Sequence, residues 1–199
     1  MTWEGSAVMT GDGKVRARFA AAVDEFGSRV QAIGDDQWSA PTPCTDWDVR
    51  ALVNHLVGEL LWMPPLLGGQ TIADVGDRLN GDLLGSDPRR AWNSAVREAT
   101  HAVAQPGAED RSVHLSYGDT PATSYIGEVT ADLTVHAWDL ARGIGAADQL
   151  NPDLVGWIYP QAKARLSPDG APGYFEPAVP VTGDASEQDR MLALYGRRA

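Results

Sequence analysis

Asp132 and His136 stand four residues apart in a run, Glu128 to Arg142, whose other members are largely apolar. On a helix that spacing stacks the carboxylate and the imidazole one turn apart on a single face. Leu133, Val135, Ala137, Leu140 and Ala141 surround them, so the polar pair rides on an apolar body. Burying such groups unpaired is costly, and a divalent cation is one arrangement that removes the cost. His55, inside an earlier run of helical spacing, supplies a third donor. Neutral imidazole and carboxylate suit zinc, nickel or iron. Three protein ligands leave coordination open to water or substrate, as catalytic rather than structural sites do. Spacing alone leaves a second arrangement open: a buried hydrogen bond between His136 and Asp132, with His55 a separate half-buried histidine.

Two further carboxylates compete for roles. Glu59 lies one turn after His55 and Asp139 three residues after His136. Each could be a fourth ligand or an outer acceptor that fixes an imidazole tautomer. The plainer alternatives are a solvent-facing Glu59, and an Asp139 that pairs with Arg142 or caps a backbone. Cys44 has no activating base beside it in sequence and reads as a small buried thiol. His101 and His114 read as ordinary, while Trp62 and Trp138 are placed to line a pocket. No catalytic residue is assigned, and no phosphate-cradling glycine loop, serine nucleophile elbow or paired-cysteine zinc motif is present.

The elements that must position these residues follow from periodicity. Val15, Phe19, Ala22, Val23, Phe26, Val30 and Ile33 mark a first amphipathic helix from Lys14 to Ile33. Pro41 and Pro43 keep Trp38 to Asp46 a loop. Thr45 and Asp48 form a capping box for a second helix from Trp47 to Met63, which carries His55. Pro64 to Gly85 is a long connection with a short helix between Thr71 and Leu79. Ser86-Asp87-Pro88 opens a third helix that Pro106-Gly107 ends. Alternation from Ser112 to Thr123 predicts an extended segment or hairpin turning at Gly118-Asp119. The fourth helix opens at Pro121 or Thr123 and stops near Gly143-Gly145. A fifth runs from Asn151 to Leu166, a Pro- and Gly-rich segment wraps the surface from Ser167 to Gly183, and a last short helix begins at Ala185. Met1 to Gly13 reads as a flexible leader, so residues 14–199 make one metal-binding helical-bundle domain with a C-terminal extension.

With 199 residues, 43% hydrophobic and 22% charged, the chain can build one sizeable core. Its net charge of -11 argues against nucleic acid and against an anionic membrane surface as partners. A single cysteine precludes an internal disulfide and suits a reducing cytoplasm, and no signal peptide or membrane span is visible. The exposed helix faces leave a homodimer open.

Thr42-Pro43-Cys44-Thr45-Asp46-Trp47-Asp48-Val49-Arg50, followed by Leu52-Val53-Asn54-His55-Leu56-Val57-Gly58, resembles the second-helix signature of the DinB-like, mycothiol-dependent maleylpyruvate isomerase family of actinobacteria. Asp132 to His136 with Ala137-Trp138-Asp139-Leu140-Ala141 resembles its fourth-helix signature. Ala185 to Arg197 resembles the closing segment of its short members. The resemblance implies an all-α, DinB-like four-helix bundle with a long crossover connection and extra short C-terminal helices. It also implies a divalent metal, most often zinc, on the positions occupied here by His55, Asp132 and His136. Isomerase members carry Glu where this chain has the shorter Asp132, and they have a second, C-terminal domain that contributes to catalysis. The expected activity is therefore metal-dependent activation of a low-molecular-weight thiol, mycothiol foremost, for transfer to or isomerisation of a small electrophile. The alternative is a non-catalytic divalent-metal or small-molecule-binding bundle.

Overall fold

The computed structural model describes residues 14–167, 169 and 176–199. The expected leader, Met1 to Gly13, lies outside the described residues, as does part of the expected surface segment after Ser167. Among the described residues are α1 (Lys14–Ala32), α2 (Val49–Leu67), the single turn α3 (Ile72–Val75), α4 (Pro88–Val103), β1 (Ser112–Leu115), β2 (Gly118–Pro121), α5 (Ala122–Ile144), α6 (Pro152–Arg165) and α7 (Glu187–Leu194). α1, α2, α4 and α5, the helices expected from periodicity, form the four-helix bundle that the family resemblance implies. α6 and α7 pack on each other beside it, and β1–β2 is an antiparallel hairpin. No helix among the described residues is long and apolar enough to cross a membrane.

Contacts at the helix ends fix the directions. Arg111 beside the start of α5 donates to Leu67 O at the end of α2, and the last turn of α5 at Gly143 lies against Thr42 and Val49 at the start of α2. α2 and α5 are therefore antiparallel. The segment after α2 returns along it: Asn54 bonds Gly81 O and Leu83 N, and Arg50 bonds Asp82 and Gly85 O. α4 thus starts beside the start of α2 and runs in the same direction. A long crossover is what that arrangement requires.

Apolar positions at helical spacing become the core. Phe19, Phe26, Leu52, Leu56, Leu60, Ile126, Leu133 and Trp138 are all buried to within 1% of their surface. Each aliphatic or aromatic side chain so buried contributes about 1.5–3 kcal/mol. The polar face of α5 interrupts this core and faces α2.

Three local departures from the sequence reading have physical causes. α2 begins at Val49 with Asp48 as its cap, not with Thr45. The free amides of Val49 and Arg50 are taken by Ala40 O and Trp38 O of the preceding loop, and that of Ala51 by the Asp48 carboxylate. The helix start is thereby satisfied without Thr45. α2 also continues past Met63 to Leu67. Proline has a helical φ, and Pro64 and Pro65 forfeit only ladder bonds near the end, while Leu66 and Leu67 gain burial. Finally, the hairpin turns at Ser116-Tyr117, because Leu115 pairs directly with Gly118. Gly118 uses its freedom at φ +125° to start β2 rather than to make the turn.

Candidate metal centre

Antiparallel α2 and α5 bring together three side chains that are far apart in sequence. His55 Nε2 lies 3.0 Å from Asp132 Oδ2, and His136 Nε2 lies 3.4 Å from Asp132 Oδ1. One donor atom from each of the three residues lies within 4.8 Å of the others. A tetrahedral ion with ligand bonds of about 2.0–2.2 Å spaces its donors about 3.3–3.6 Å apart. The two separations to Asp132 lie in or near that range, and the third, between the imidazole nitrogens, lies within 4.8 Å. The chemistry of the set, two imidazole nitrogens and one carboxylate, also fits a divalent cation of the zinc type.

The centre is reachable from outside. The His55 and Asp132 side chains keep 27% and 22% of their surface exposed, whereas His136 keeps 7%. Trp47, in the loop before α2, packs against both rings at centroid distances of 4.5 Å to His55 and 5.6 Å to His136. The indole therefore restrains both imidazoles from one side.

Electrostatics bind the triad tightly. Burial opposes charge on His136, but Asp132 and then Asp139 outweigh it and raise its pKa to about 9. Burial likewise opposes charge on Asp132, yet His136 and His55 hold its carboxyl well below the usual carboxylate range. Without an ion, the same three residues form a proton-linked cluster.

Asp139 lies behind His136, its Oδ2 2.8 Å from His136 Nδ1. It is fully buried and receives Arg197 from the segment after α7, with Nη2 to Oδ2 at 2.8 Å and Nε to Oδ1 at 3.2 Å. Burial opposes its charge, and His136 and Arg197 lower its pKa nonetheless. Asp139 is thus the outer acceptor of His136 rather than a partner of Arg142, which bonds Asp148 instead.

Glu59 is half-buried, beside the triad but outside the group of converging donors. Burial, followed by the negative charge of Asp132, pushes its pKa up to about 7. One turn before Asp132, Glu128 is held by Tyr117 of the hairpin at 2.6 Å and by Arg165 of α6. These residues wall the centre on the side of the α5 N-terminus.

The other candidates do not join the triad. Trp138 is buried in the core with the Arg142 guanidinium over its ring, and Trp62 packs at the core edge. Trp47 has the position foreseen for them. His101 bonds Gln105, and His114 pairs with Asp119 across the hairpin. Cys44, expected to be buried, is half-buried and lies within electrostatic reach of Arg197, Asp139 and Asp132; burial raises its pKa against the opposing influence of Arg197 and keeps it a thiol.

Residues 19–141 match the family model described as the mycothiol maleylpyruvate isomerase N-terminal domain. The chain belongs to this family. The matched span of this mycothiol maleylpyruvate isomerase N-terminal domain contains His55, Asp132, His136 and Asp139, and ends well before Arg197. Uncharacterized proteins of Mycobacterium tuberculosis, from two strains, are each 29% identical over 178 residues, covering 88% of this chain and 93% of theirs. The crystal structure of a mycothiol-dependent maleylpyruvate isomerase superposes with a TM-score of 0.57 at 13% identity, over 75% of this chain and 68% of that one. A mutant of that isomerase gives 0.58 at 11% identity over the same shares. At these identities the likeness establishes the shared fold, a DinB-like helical bundle.

Proposed function

We propose that this family member is a metal-dependent enzyme that activates a low-molecular-weight thiol, mycothiol foremost, for transfer to or isomerisation of a small electrophile. The observation that carries the reading is the convergence of His55, Asp132 and His136 from two helices on one partly open point. His55 and His136 would hold a divalent ion, zinc foremost, through Nε2, and Asp132 would offset part of its charge. A cation there supplies a Lewis acid that lowers the pKa of an arriving thiol. Family membership, and the likeness to a mycothiol-dependent isomerase, support the thiol as co-substrate.

The chain's own groups have defined tasks in this scheme. Trp47 restrains both donor rings, and Asp139 fixes the tautomer of His136 by accepting from Nδ1. Among the described residues Glu59 has no hydrogen-bond partner, and burial with the charge of Asp132 pushes its pKa up to about 7. In this scheme it would accept the thiol proton.

The test is elemental analysis of the purified full chain, followed by thiol conjugation to an electrophile such as chlorobimane. Near-stoichiometric metal with metal-dependent conjugation supports the reading. Metal without turnover on any thiol and electrophile pair would leave a metal-binding module. No stoichiometric metal would leave the proton-linked cluster as a structural device.

A further inference from the structure

We propose that Arg197 is a positioning residue of the metal centre, acting through Asp139 on His136. The inference rests on the metal reading above. Asp139 Oδ2 stands between two donors, His136 Nδ1 and Arg197 Nη2, each at 2.8 Å. Arg197 Nε reaches Oδ1 at 3.2 Å, so the guanidinium fork spans both carboxylate oxygens. A planar fork of this kind fixes the carboxylate plane, which a point charge cannot do. With the plane fixed, Oδ2 faces Nδ1 and the imidazole turns Nε2 toward Asp132 and His55. Outer partners of this kind set ring orientation and metal affinity.

The arginine is itself held in place. Nη1 donates to Tyr195 O at 2.7 Å, and Arg197 N bonds Leu192 O at 3.0 Å. Gly196, at φ +79°, turns the chain off α7, where an added Cβ would lie 2.6 Å from Glu176 Cβ. Only a residue without a side chain fits that bend. Arg197 keeps just 9% of its surface exposed. It lies outside the span matched by the family domain, so the segment after α7 completes a centre whose other members lie inside that span.

The test uses the full chain with Arg197→Met, Arg197→Lys, Asp139→Asn and the double variant Arg197→Met/Asp139→Asn. Circular dichroism and thermal melts establish folding, and chelator competition gives the zinc dissociation constant. In the cobalt-loaded protein, the paramagnetically shifted, exchangeable Nδ1–H signal of His136 reports its hydrogen bond. Arg197→Met should weaken zinc binding about 10–100-fold and speed exchange of that proton. Arg197→Lys should lose less, and the double variant should match Asp139→Asn within about twofold, because both act on one bond. A folded Arg197→Met protein with unchanged zinc affinity and unchanged exchange would overturn the proposal. So would losses that multiply in the double variant. Should Arg197→Met fail to fold, Arg197→Lys decides: weaker zinc binding with faster exchange supports the role, and wild-type values overturn it. Wild-type protein that binds no zinc would instead sink the metal reading itself.

Discussion

Metal uptake by this chain should release a proton, and His136 is its source. With its pKa held at about 9 by Asp132 and Asp139, the metal-free ring is charged at neutral pH. A cation arriving at Nε2 must displace that proton. About two pH units separate neutrality from the raised value, so about one molecule in 100 has the ring neutral at pH 7. The apparent zinc affinity at pH 7 should then lie about 100-fold, or about 2.7 kcal/mol, below its high-pH plateau. The logarithm of the dissociation constant should fall by about one for each pH unit between about 7 and 9. Asp132 adds no slope there, because its carboxyl is held well below the usual range. The same shift gives the metal-free chain stability that is fully present below the ordinary histidine value of 6.5 and is lost as pH rises through about 9. Titration calorimetry in buffers of different ionisation enthalpy counts the protons, and chelator competition from about pH 6.5 to 8.5 gives the slope. Zinc binding that releases no proton at pH 7 and keeps a flat affinity over that range would refute the reasoning.

Three further outcomes follow from the geometry. His136→Ala should leave the chain folded but remove most of its bound metal, read by elemental analysis after dialysis against trace zinc. Glu59→Gln should keep metal content and lower thiol conjugation about 100-fold, since it removes the proposed proton acceptor and no hydrogen bond; an unchanged rate would remove Glu59 from the scheme. Leu133→Ala, at a fully buried position one residue after Asp132, should cost about 2–5 kcal/mol in urea unfolding.

The bundle and the centre were legible in the sequence to different depths. The spacing of Asp132 and His136 is a local signal, and helical geometry alone puts them on one face. His55 could be offered as a third donor by residue type alone, but no spacing rule connects residues 77 apart, and the family resemblance strengthened the pairing. Asp139 was legible as an outer acceptor, since three residues also share a helix face. Arg197 was not, although Gly196 signals the end of a helix, because a charge match across 58 residues has no periodic trace. Trp47 was missed for a similar reason. Its ring meets both imidazoles only because the loop before α2 folds back, with Trp47 N bonded to Cys44 O. Pro64-Pro65 read as a stop signal, but burial of the next two leucines outweighs the lost ladder bonds.

The wide separation of His55, Asp132 and Arg197 along the chain has a consequence for biosynthesis. A ribosome delivers His55 long before its partners, and the guanidinium that braces them emerges last. No partial chain holds the full set of donors together with its support. An ion at the proposed centre would meet all three donors once His136 is out, but would gain the bracing of His136 through Asp139 only after Arg197 has followed.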